Sequence, residues 1–151
     1  MQAVLFVGIQ GSGKSTFYCE RFFDTHVRIS LDLLRTHHRE ARLLQLCLET
    51  GQPFVVDKTN VTAAERDRYI AAAHSARFQV LGYFFEPEPQ ACFERNLQRP
   101  HPVPAVGVFG TLKKLQRPSL AEGFDALYRV NLRVGGGFDV ADYAGPDVNA
   151  A

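Results

Sequence analysis

Short apolar runs recur along the chain, and most of them are followed by a segment with helical spacing. The runs cover residues 4–7, 27–30, 53–56, 78–85 and 126–134, and those at 4–7 and 53–56 are continuously apolar. Continuously apolar strands are buried on both faces, which is typical of a parallel sheet covered by helices on both sides. The pattern therefore predicts an α/β fold of three layers, α/β/α, around a sheet of five parallel strands.

Helical spacing predicts helices over residues 14–23, 31–50, 62–76, 87–98 and 106–116. The second helix ends at Gly51, a residue suited to the left-handed position after a helix. Thr62 and Glu65 have the spacing of a capping box at the start of the third helix. Prolines at positions 100, 102 and 104 make a stiff, non-helical connection before the last helix. We expect the two helices around this connection to form a lid.

The composition is that of an ordinary globular domain. The chain has 151 residues, of which 46% are hydrophobic and 22% charged, and its net charge is +1. This length suffices for one buried core. We expect one domain over residues 1–134 and a loose tail over residues 135–151, which opens with three glycines. The near-zero net charge provides no global field that would attract nucleic acid or an anionic membrane.

The three cysteines, at positions 19, 47 and 92, are scattered and form no CxxC pair. This spacing argues against a disulfide framework and a zinc site, and it indicates buried thiols in a reducing compartment. No stretch approaches the roughly 20 apolar residues that span a membrane, and the N-terminus lacks the basic start of a signal peptide. We therefore expect a cytoplasmic protein without a membrane partner or an obligate protein partner.

Residues 8–15 read Gly-Ile-Gln-Gly-Ser-Gly-Lys-Ser and fit the P-loop pattern G-x-x-x-x-G-K-[ST]. The motif follows an apolar strand and precedes a helix, which is the context that it requires. Backbone N–H groups of such a loop converge on phosphate oxygens, and the helix N-terminus favours the same anion. The motif predicts a P-loop NTPase whose ATP-binding residues are Gly11, Ser12, Gly13, Lys14, Ser15 and Thr16. In such a site Lys14 reaches the β- and γ-phosphates and Ser15 is a ligand of Mg²⁺.

Two aspartates follow predicted strands and would lie at the edge of the sheet beside the P-loop. Asp32 could accept the proton of an attacking hydroxyl group, and Arg35 would share its helical face and hold a phosphate of the acceptor. Asp57 occupies the position of a carboxylate that supports Mg²⁺. Each also has a purely structural interpretation, as a helix-start aspartate with an exposed arginine partner and as a turn-capping aspartate.

Two arginines lie four residues apart on the first helix of the expected lid. Arg95 and Arg99 could clamp ATP phosphates, and Arg99 together with Lys14 would stabilise the phosphoryl group in transfer. A solvated helix face is the alternative. The sequence has no N-K-x-D motif of GTPase switches, and Asp57 is followed by Lys58, Thr59 and Asn60, with no glycine at the switch position. These features favour a phosphotransferase over a switch.

In their order along the chain these residues resemble the kinase domain of polynucleotide 5′-hydroxyl kinases. The resemblance extends over residues 4–134 and includes the P-loop with Thr16 and Phe17, the D-x-T-N step at residues 57–60, R-x-x-Y at 66–69 and R-N-x-x-R at 95–99. It implies that Asp32 is the general base and that Arg35 binds the phosphate beside the target hydroxyl. It also implies ATP and Mg²⁺ as cofactors and the 5′ end of DNA or RNA as the acceptor.

The sequence departs from this family before Asp32, where Ser30 and Leu31 stand instead of the Arg or Asn-Arg that is frequent there. A basic contact to the acceptor is therefore missing. Kinases for small metabolites, nucleosides or tRNA-linked groups share the architecture, so a small acceptor is the first alternative. The second is an ATP-binding module that switches a partner without catalysis.

Overall fold

The computed structural model describes residues 1–146 and contains one sheet flanked by helices. The strands are β1 (Gln2–Val7), β2 (Val27–Ile29), β3 (Phe54–Val56), β4 (Gln79–Phe85), β5 (Ala126–Leu132) and β6 (Phe138–Asp142). The helices are α1 (Lys14–Arg21), α2 (Leu31–Leu34), α3 (His37–Thr50), α4 (Ala63–Ser75), α5 (Pro89–Leu97) and α6 (Ala105–Lys114). A 3₁₀ turn, Leu120–Glu122, precedes β5. Within residues 1–146 no helix is long and apolar enough to cross a membrane.

The strand order is β2-β3-β1-β4-β5-β6, and β1 to β5 pair in parallel. This arrangement confirms the predicted P-loop NTPase-like α/β fold. The sheet has six strands rather than five, because β6 pairs antiparallel with β5. The carboxyl ends of β1, β2 and β3 lie side by side, and the P-loop and both predicted aspartates follow these three ends.

The prediction of a loose tail from residue 135 is wrong for residues 138–142. Three glycines with positive φ turn the chain, and β6 then gains its order from backbone pairing with β5. Only Phe138 in β6 is buried, so the strand carries little of the apolar pattern on which sequence prediction relies. Residues 147–151, the end of the predicted tail, lie outside the described residues.

The core has two parts because side chains alternate across the sheet. Leu5, Val56 and Val80 pack toward Tyr69 and Ile70 of α4 on one face. On the other face an aromatic cluster surrounds Phe17 of α1, whose ring lies 5.7 Å from Phe6, 5.3 Å from Phe85 and 5.2 Å from Phe138. Cys47 and Cys92 are buried as expected, whereas Cys19 is exposed, since it lies on the outer side of α1.

The predicted helix over residues 31–50 is interrupted after one turn. Arg35 adopts a left-handed conformation, with φ 74°, and ends α2. Thr36 then caps α3, because its hydroxyl accepts a hydrogen bond from the backbone N–H of Arg39 at 3.1 Å. The break removes the shared helical face that we expected for Asp32 and Arg35. Gly51, with φ 75°, ends α3 as predicted.

Candidate active site

Two glycines of the P-loop, Gly11 and Gly13, have conformations and surroundings that exclude a side chain. Gly11 has φ 78°, and a Cβ there would lie 2.1 Å from the carbonyl oxygen of Cys92 in α5. Gly13 has φ 94°, and a Cβ there would meet the Phe138 ring at 3.0 Å and Arg95 Nη1 at 3.2 Å. These contacts bring the lid helix and the β5–β6 hairpin against the P-loop, so both become walls of the site.

Lys14 folds back over the P-loop. Its ammonium group donates to the carbonyl oxygens of Gly8 at 3.0 Å and Ile9 at 2.9 Å. Burial lowers the pKa of Lys14 to about 8, although the nearby Asp57 carboxylate opposes this shift. A lysine with this pKa loses part of its charge just above neutral pH, so its charge depends on what occupies the loop.

The two predicted magnesium ligands are in direct contact. The Ser15 hydroxyl donates to Asp57 Oδ2 at 3.1 Å. Arg28 of β2, which the sequence analysis did not single out, donates to the same Asp57 oxygen at 2.8 Å and to Ser15 Oγ at 3.0 Å. A basic residue between two apolar residues of a short strand is the signal that could have drawn attention to it. The site therefore contains a third charged group between the P-loop and β3.

A braced turn after β3 positions Asp57. Asn60 has φ 46°, and its side-chain amide donates to the carbonyl oxygen of Phe6 at 2.8 Å. The backbone N–H of Gly8 donates to the Thr59 carbonyl oxygen at 3.0 Å. Buried Arg66 donates to the Asn60 carbonyl oxygen at 2.8 Å. It also donates two hydrogen bonds to the Glu122 carboxylate, at 2.7 and 3.1 Å. The D-x-T-N and R-x-x-Y residues thus tie the aspartate to the P-loop strand.

Asp32 lies at the mouth of the site, where 80% of its side chain is exposed. Arg99 of the lid donates to Asp32 Oδ2 at 3.3 Å, and this arginine is itself 36% exposed. Buried Asn96 fastens the connection after α5, because its side chain exchanges two hydrogen bonds with the backbone of Val103, at 2.5 and 3.0 Å. The lid arginine is therefore held over the candidate general base.

A cavity of about 560 Å³ joins these groups. Its lining includes most of the predicted site residues, namely Gly11, Gly13, Lys14, Ser15, Thr16, Asp32, Asp57, Arg95 and Arg99. Ser12 is buried beneath the loop. Leu132, Gly136, Gly137 and Phe138 of the β5–β6 hairpin also line the cavity, and the last three were missed because residues from 135 on were predicted to be a loose tail.

Arg35 does not join this cluster. Its side chain is exposed, and it is not among the residues that line the cavity. It is instead the first of five exposed basic side chains in this stretch, namely Arg35, His37, His38, Arg39 and Arg42. The one carboxylate in this stretch, Glu40, points inward and pairs with Lys58 at 3.3 Å. The exposed side chains between positions 33 and 42 therefore include three arginines and no carboxylate.

The donor set suits a hard cation. Ser15 and Asp57 offer a hydroxyl and a carboxylate, which are oxygen ligands of the kind that Mg²⁺ prefers. No group of three or more His, Cys, Asp or Glu side chains in residues 1–146 could hold a metal on its own. Mg²⁺ in nucleotide sites uses one or two protein groups and completes its shell with phosphates and water. The residues present therefore fit a magnesium ion that arrives with a nucleotide.

The family model described as an AAA domain matches residues 28–117, which is more than half of the chain. The chain belongs to this family. The matched segment contains Asp32, Asp57 and both lid arginines, and it begins after the P-loop. Family membership and the observed sheet order agree on a P-loop NTPase-like α/β domain.

Solved structures share the fold of this AAA domain. A gluconokinase from Sinorhizobium meliloti 1021 superimposes with a TM-score of 0.58 at 19% identity, over 86% of this chain and 82% of the gluconokinase. Kti12 from Chaetomium thermophilum, solved in complex with ADP-AlF3, gives a TM-score of 0.62 at 16% identity, over 85% and 88%. The APS kinase CysC from Mycobacterium tuberculosis, in complex with AMPPNP and APS, gives 0.55 at 20%, over 86% and 87%.

Proposed function

We propose that this protein is an ATP-dependent kinase that transfers the γ-phosphate to a hydroxyl group, and that a polynucleotide 5′-hydroxyl is the acceptor. The observation that carries the proposal is the position of Asp32. Its exposed carboxylate lines the same cavity as the P-loop lysine and both lid arginines. A base at the open mouth of a phosphate-binding cavity can serve an acceptor that stays largely outside the protein.

On the donor side, the protein's own groups would exchange partners when ATP binds. Lys14 would leave the carbonyl oxygens of Gly8 and Ile9 for the β- and γ-phosphates. Ser15 and Asp57 would hold Mg²⁺, which neutralises phosphate charge when it is bound. Gly136 and Gly137 of the hairpin, which also line the cavity, would leave room for the rest of the nucleotide.

On the acceptor side, Asp32 would take the proton as the hydroxyl oxygen attacks the γ-phosphorus. The new P–O bond forms as the bond to the β–γ bridging oxygen breaks, and ADP leaves with that electron pair. Arg99, which pairs with Asp32 at 3.3 Å in this structure, would turn to the transferring phosphoryl group with Arg95. The move would free the carboxylate and place two guanidinium groups where negative charge develops.

We call the exposed side chains of Arg35, His37, His38, Arg39 and Arg42 the acceptor surface, and this surface would suit a polyanionic substrate. Its five exposed side chains are all arginine or histidine, and the buried Glu40 is engaged by Lys58 and Tyr69. Because the net charge of the whole chain is only +1, phosphate contacts require a local concentration of basic groups such as this one. The surface could replace the basic contact that is missing immediately before Asp32.

A small acceptor is the second candidate function. A cavity of about 200 Å³ adjoins Asp32 and is lined by Gln10, Ser30, Lys58 and Val103 among others. A compact polyol or a nucleoside could occupy such a space. The gluconokinase and the APS kinase share the fold, which is compatible with an acceptor of this size.

The test offers ATP labelled in the γ-phosphate with a series of acceptors. These are an oligonucleotide with a 5′-hydroxyl, the same oligonucleotide with a 5′-phosphate, nucleoside 3′-monophosphates, nucleosides and simple sugars. We expect label on the 5′-hydroxyl oligonucleotide and none on its 5′-phosphorylated control. Label only on the small compounds would support a small acceptor, the second candidate. Nucleotide binding without transfer to any acceptor would instead indicate a non-catalytic switch module.

A further inference from the structure

One charged group in the site has no role in the proposed reaction. Arg28 lies on β2 at the position paired with Val55 of β3, and it therefore points to the face of the sheet that α1 covers. Its guanidinium group lies 6.0 Å from the centre of the Tyr18 ring. Tyr18 is itself fixed, because its hydroxyl donates to the His26 carbonyl oxygen at 2.6 Å. The side chain is thus directed along α1 toward the P-loop.

The guanidinium group bonds to the two groups that would hold a magnesium ion. Its Nε donates to Asp57 Oδ2 at 2.8 Å, and its Nη2 donates to Ser15 Oγ at 3.0 Å. Only 3% of the Asp57 side chain is exposed, against 27% for Arg28. A buried carboxylate without a cation is unfavourable, and Arg28 supplies that cation through the fork geometry of its donors.

No other cation near Asp57 is equally suited to this task. Lys14 donates its hydrogen bonds to the carbonyl oxygens of Gly8 and Ile9 instead. An arginine stays charged at every pH that a protein experiences. Lys58, the residue next to Asp57, is engaged by Glu40 and Tyr69 on the other side of the turn.

We propose that Arg28 is a positioning residue that takes the place of the divalent cation in the nucleotide-free protein. It bonds to both the Ser15 hydroxyl and the Asp57 carboxylate, and these two hydrogen bonds break when nucleotide and Mg²⁺ bind. The inference rests on the nucleotide site of the proposed function, but not on the identity of the acceptor. Its consequence is that metal and nucleotide must bind together, since Mg²⁺ needs phosphate oxygens to complete its shell and the nucleotide alone makes neither contact of the arginine.

The first experiment measures the affinity for a fluorescent ADP analogue with excess Mg²⁺ and with EDTA. The ratio of the two affinities reports how strongly the metal supports nucleotide binding. In Arg28→Gln this ratio should rise about tenfold, because the metal no longer competes with a charge-assisted hydrogen bond. Arg28→Lys, which keeps the charge but loses the fork, should give an intermediate ratio. Arg21→Gln removes an exposed arginine of α1 outside the cavity and should leave the ratio unchanged.

The second experiment uses the unmodified protein, so it does not depend on the folding of a variant. The Nε–H signal of Arg28 in a ¹⁵N correlation spectrum, assigned by its loss in Arg28→Lys, should be protected while the bond to Asp57 exists. It should shift or exchange away when ADP and Mg²⁺ are added together, and it should stay in place with ADP and EDTA.

The outcomes separate this inference from the proposed function. A ratio that is unchanged or smaller in Arg28→Gln, or an Nε–H signal that does not respond to ADP with Mg²⁺, overturns the inference even if the kinase assay succeeds. If the predicted ratio and signal are observed while no acceptor is phosphorylated, the role of Arg28 stands and the kinase proposal fails. If Mg²⁺ has no effect on ADP binding by the unmodified protein, Ser15 and Asp57 are not a metal site and the inference falls with them.

Discussion

The donor side and the acceptor side of the cavity are built in different ways. On the donor side, Lys14, Ser15 and Asp57 each bond to other protein groups at 3.1 Å or less, and the glycines leave no space for a side chain. On the acceptor side, Asp32 is 80% exposed, and its partner at 3.3 Å is Arg99 of the lid, which is itself 36% exposed.

This difference indicates two modes of recognition. A preorganised loop binds one ligand, the triphosphate, by geometry, because its donors are already aimed at the phosphates. On the acceptor side the basic surface would bind the acceptor by charge, and the exposed carboxylate of Asp32 leaves space for acceptors that differ in shape. The donor side should therefore be sensitive to small changes of shape, and the acceptor side to changes of charge.

The largest effect is expected where the two sides meet. Asp32→Asn should leave ADP affinity unchanged and lower kcat for the true acceptor by about 10²–10⁴-fold, since a general base contributes that much. Nucleotide titration and transfer assays measure the two quantities. Asp67→Asn removes an exposed aspartate of α4 and is the matched control. Normal turnover by Asp32→Asn would mean that Asp32 is not the base.

Shape sensitivity on the donor side is tested at Gly11. Gly11→Ala forces a side chain into the left-handed conformation and against the Cys92 carbonyl oxygen. Strain and overpacking together cost on the order of 3 kcal/mol, so ATP affinity should fall about 100-fold. Calorimetric titration gives the affinity. Gly110→Ala in α6, where an added Cβ meets nothing within 4 Å, should bind ATP normally. Equal affinities in both variants would contradict a tightly shaped donor side.

The pH dependence of nucleotide binding tests the charge of Lys14. Its pKa is lowered to about 8 in the free protein, so the ammonium form is present below that pH and must be restored on binding above it. ADP affinity should be constant below pH 8 and then fall about tenfold per pH unit. Titrations across this range measure it, and Lys14→Arg, which stays charged, should give a flat profile. A flat profile in the unmodified protein would contradict the assigned role of the lysine.

The smallest effect is expected from the acceptor surface. The double variant Arg39→Gln/Arg42→Gln should lower kcat/KM for an oligonucleotide several-fold and leave ATP affinity unchanged. The slope of log acceptor affinity against log salt concentration should become shallower by about one or two, roughly one for each lost phosphate contact. Rates at several salt concentrations provide the slope. Arg77→Gln/Arg129→Gln removes the same charge from exposed positions outside the cavity. If both double variants behave alike, the acceptor surface has no specific role.

Much of the donor side could be predicted from the sequence because it depends on local features. The P-loop pattern, the strand before it and the capping residues Thr62 and Gly51 act within a few residues, and the structure has them where expected. The prediction failed at Arg35, where a positive φ interrupts an otherwise helical pattern. Helical spacing continues across such a break, so the apolar pattern does not reveal it.

Other parts of the site were decided only by tertiary structure. The Phe138 ring reaches the P-loop because β6 pairs with β5 at the edge of the sheet. Arg66 bonds to Glu122, which lies 56 positions further along the chain. Arg28 contacts Asp57 only because β2 and β3 are neighbours in the sheet.

The sequence by itself determined the type of fold, the phosphate-binding loop and the order in which the charged residues follow the strands. The tertiary structure decided which of those residues meet, how exposed each one is and which unexpected cation lies between them. The physical reason is that backbone conformation and apolar periodicity are local properties, whereas the partner of a charged group depends on strand order and on the packing of distant segments.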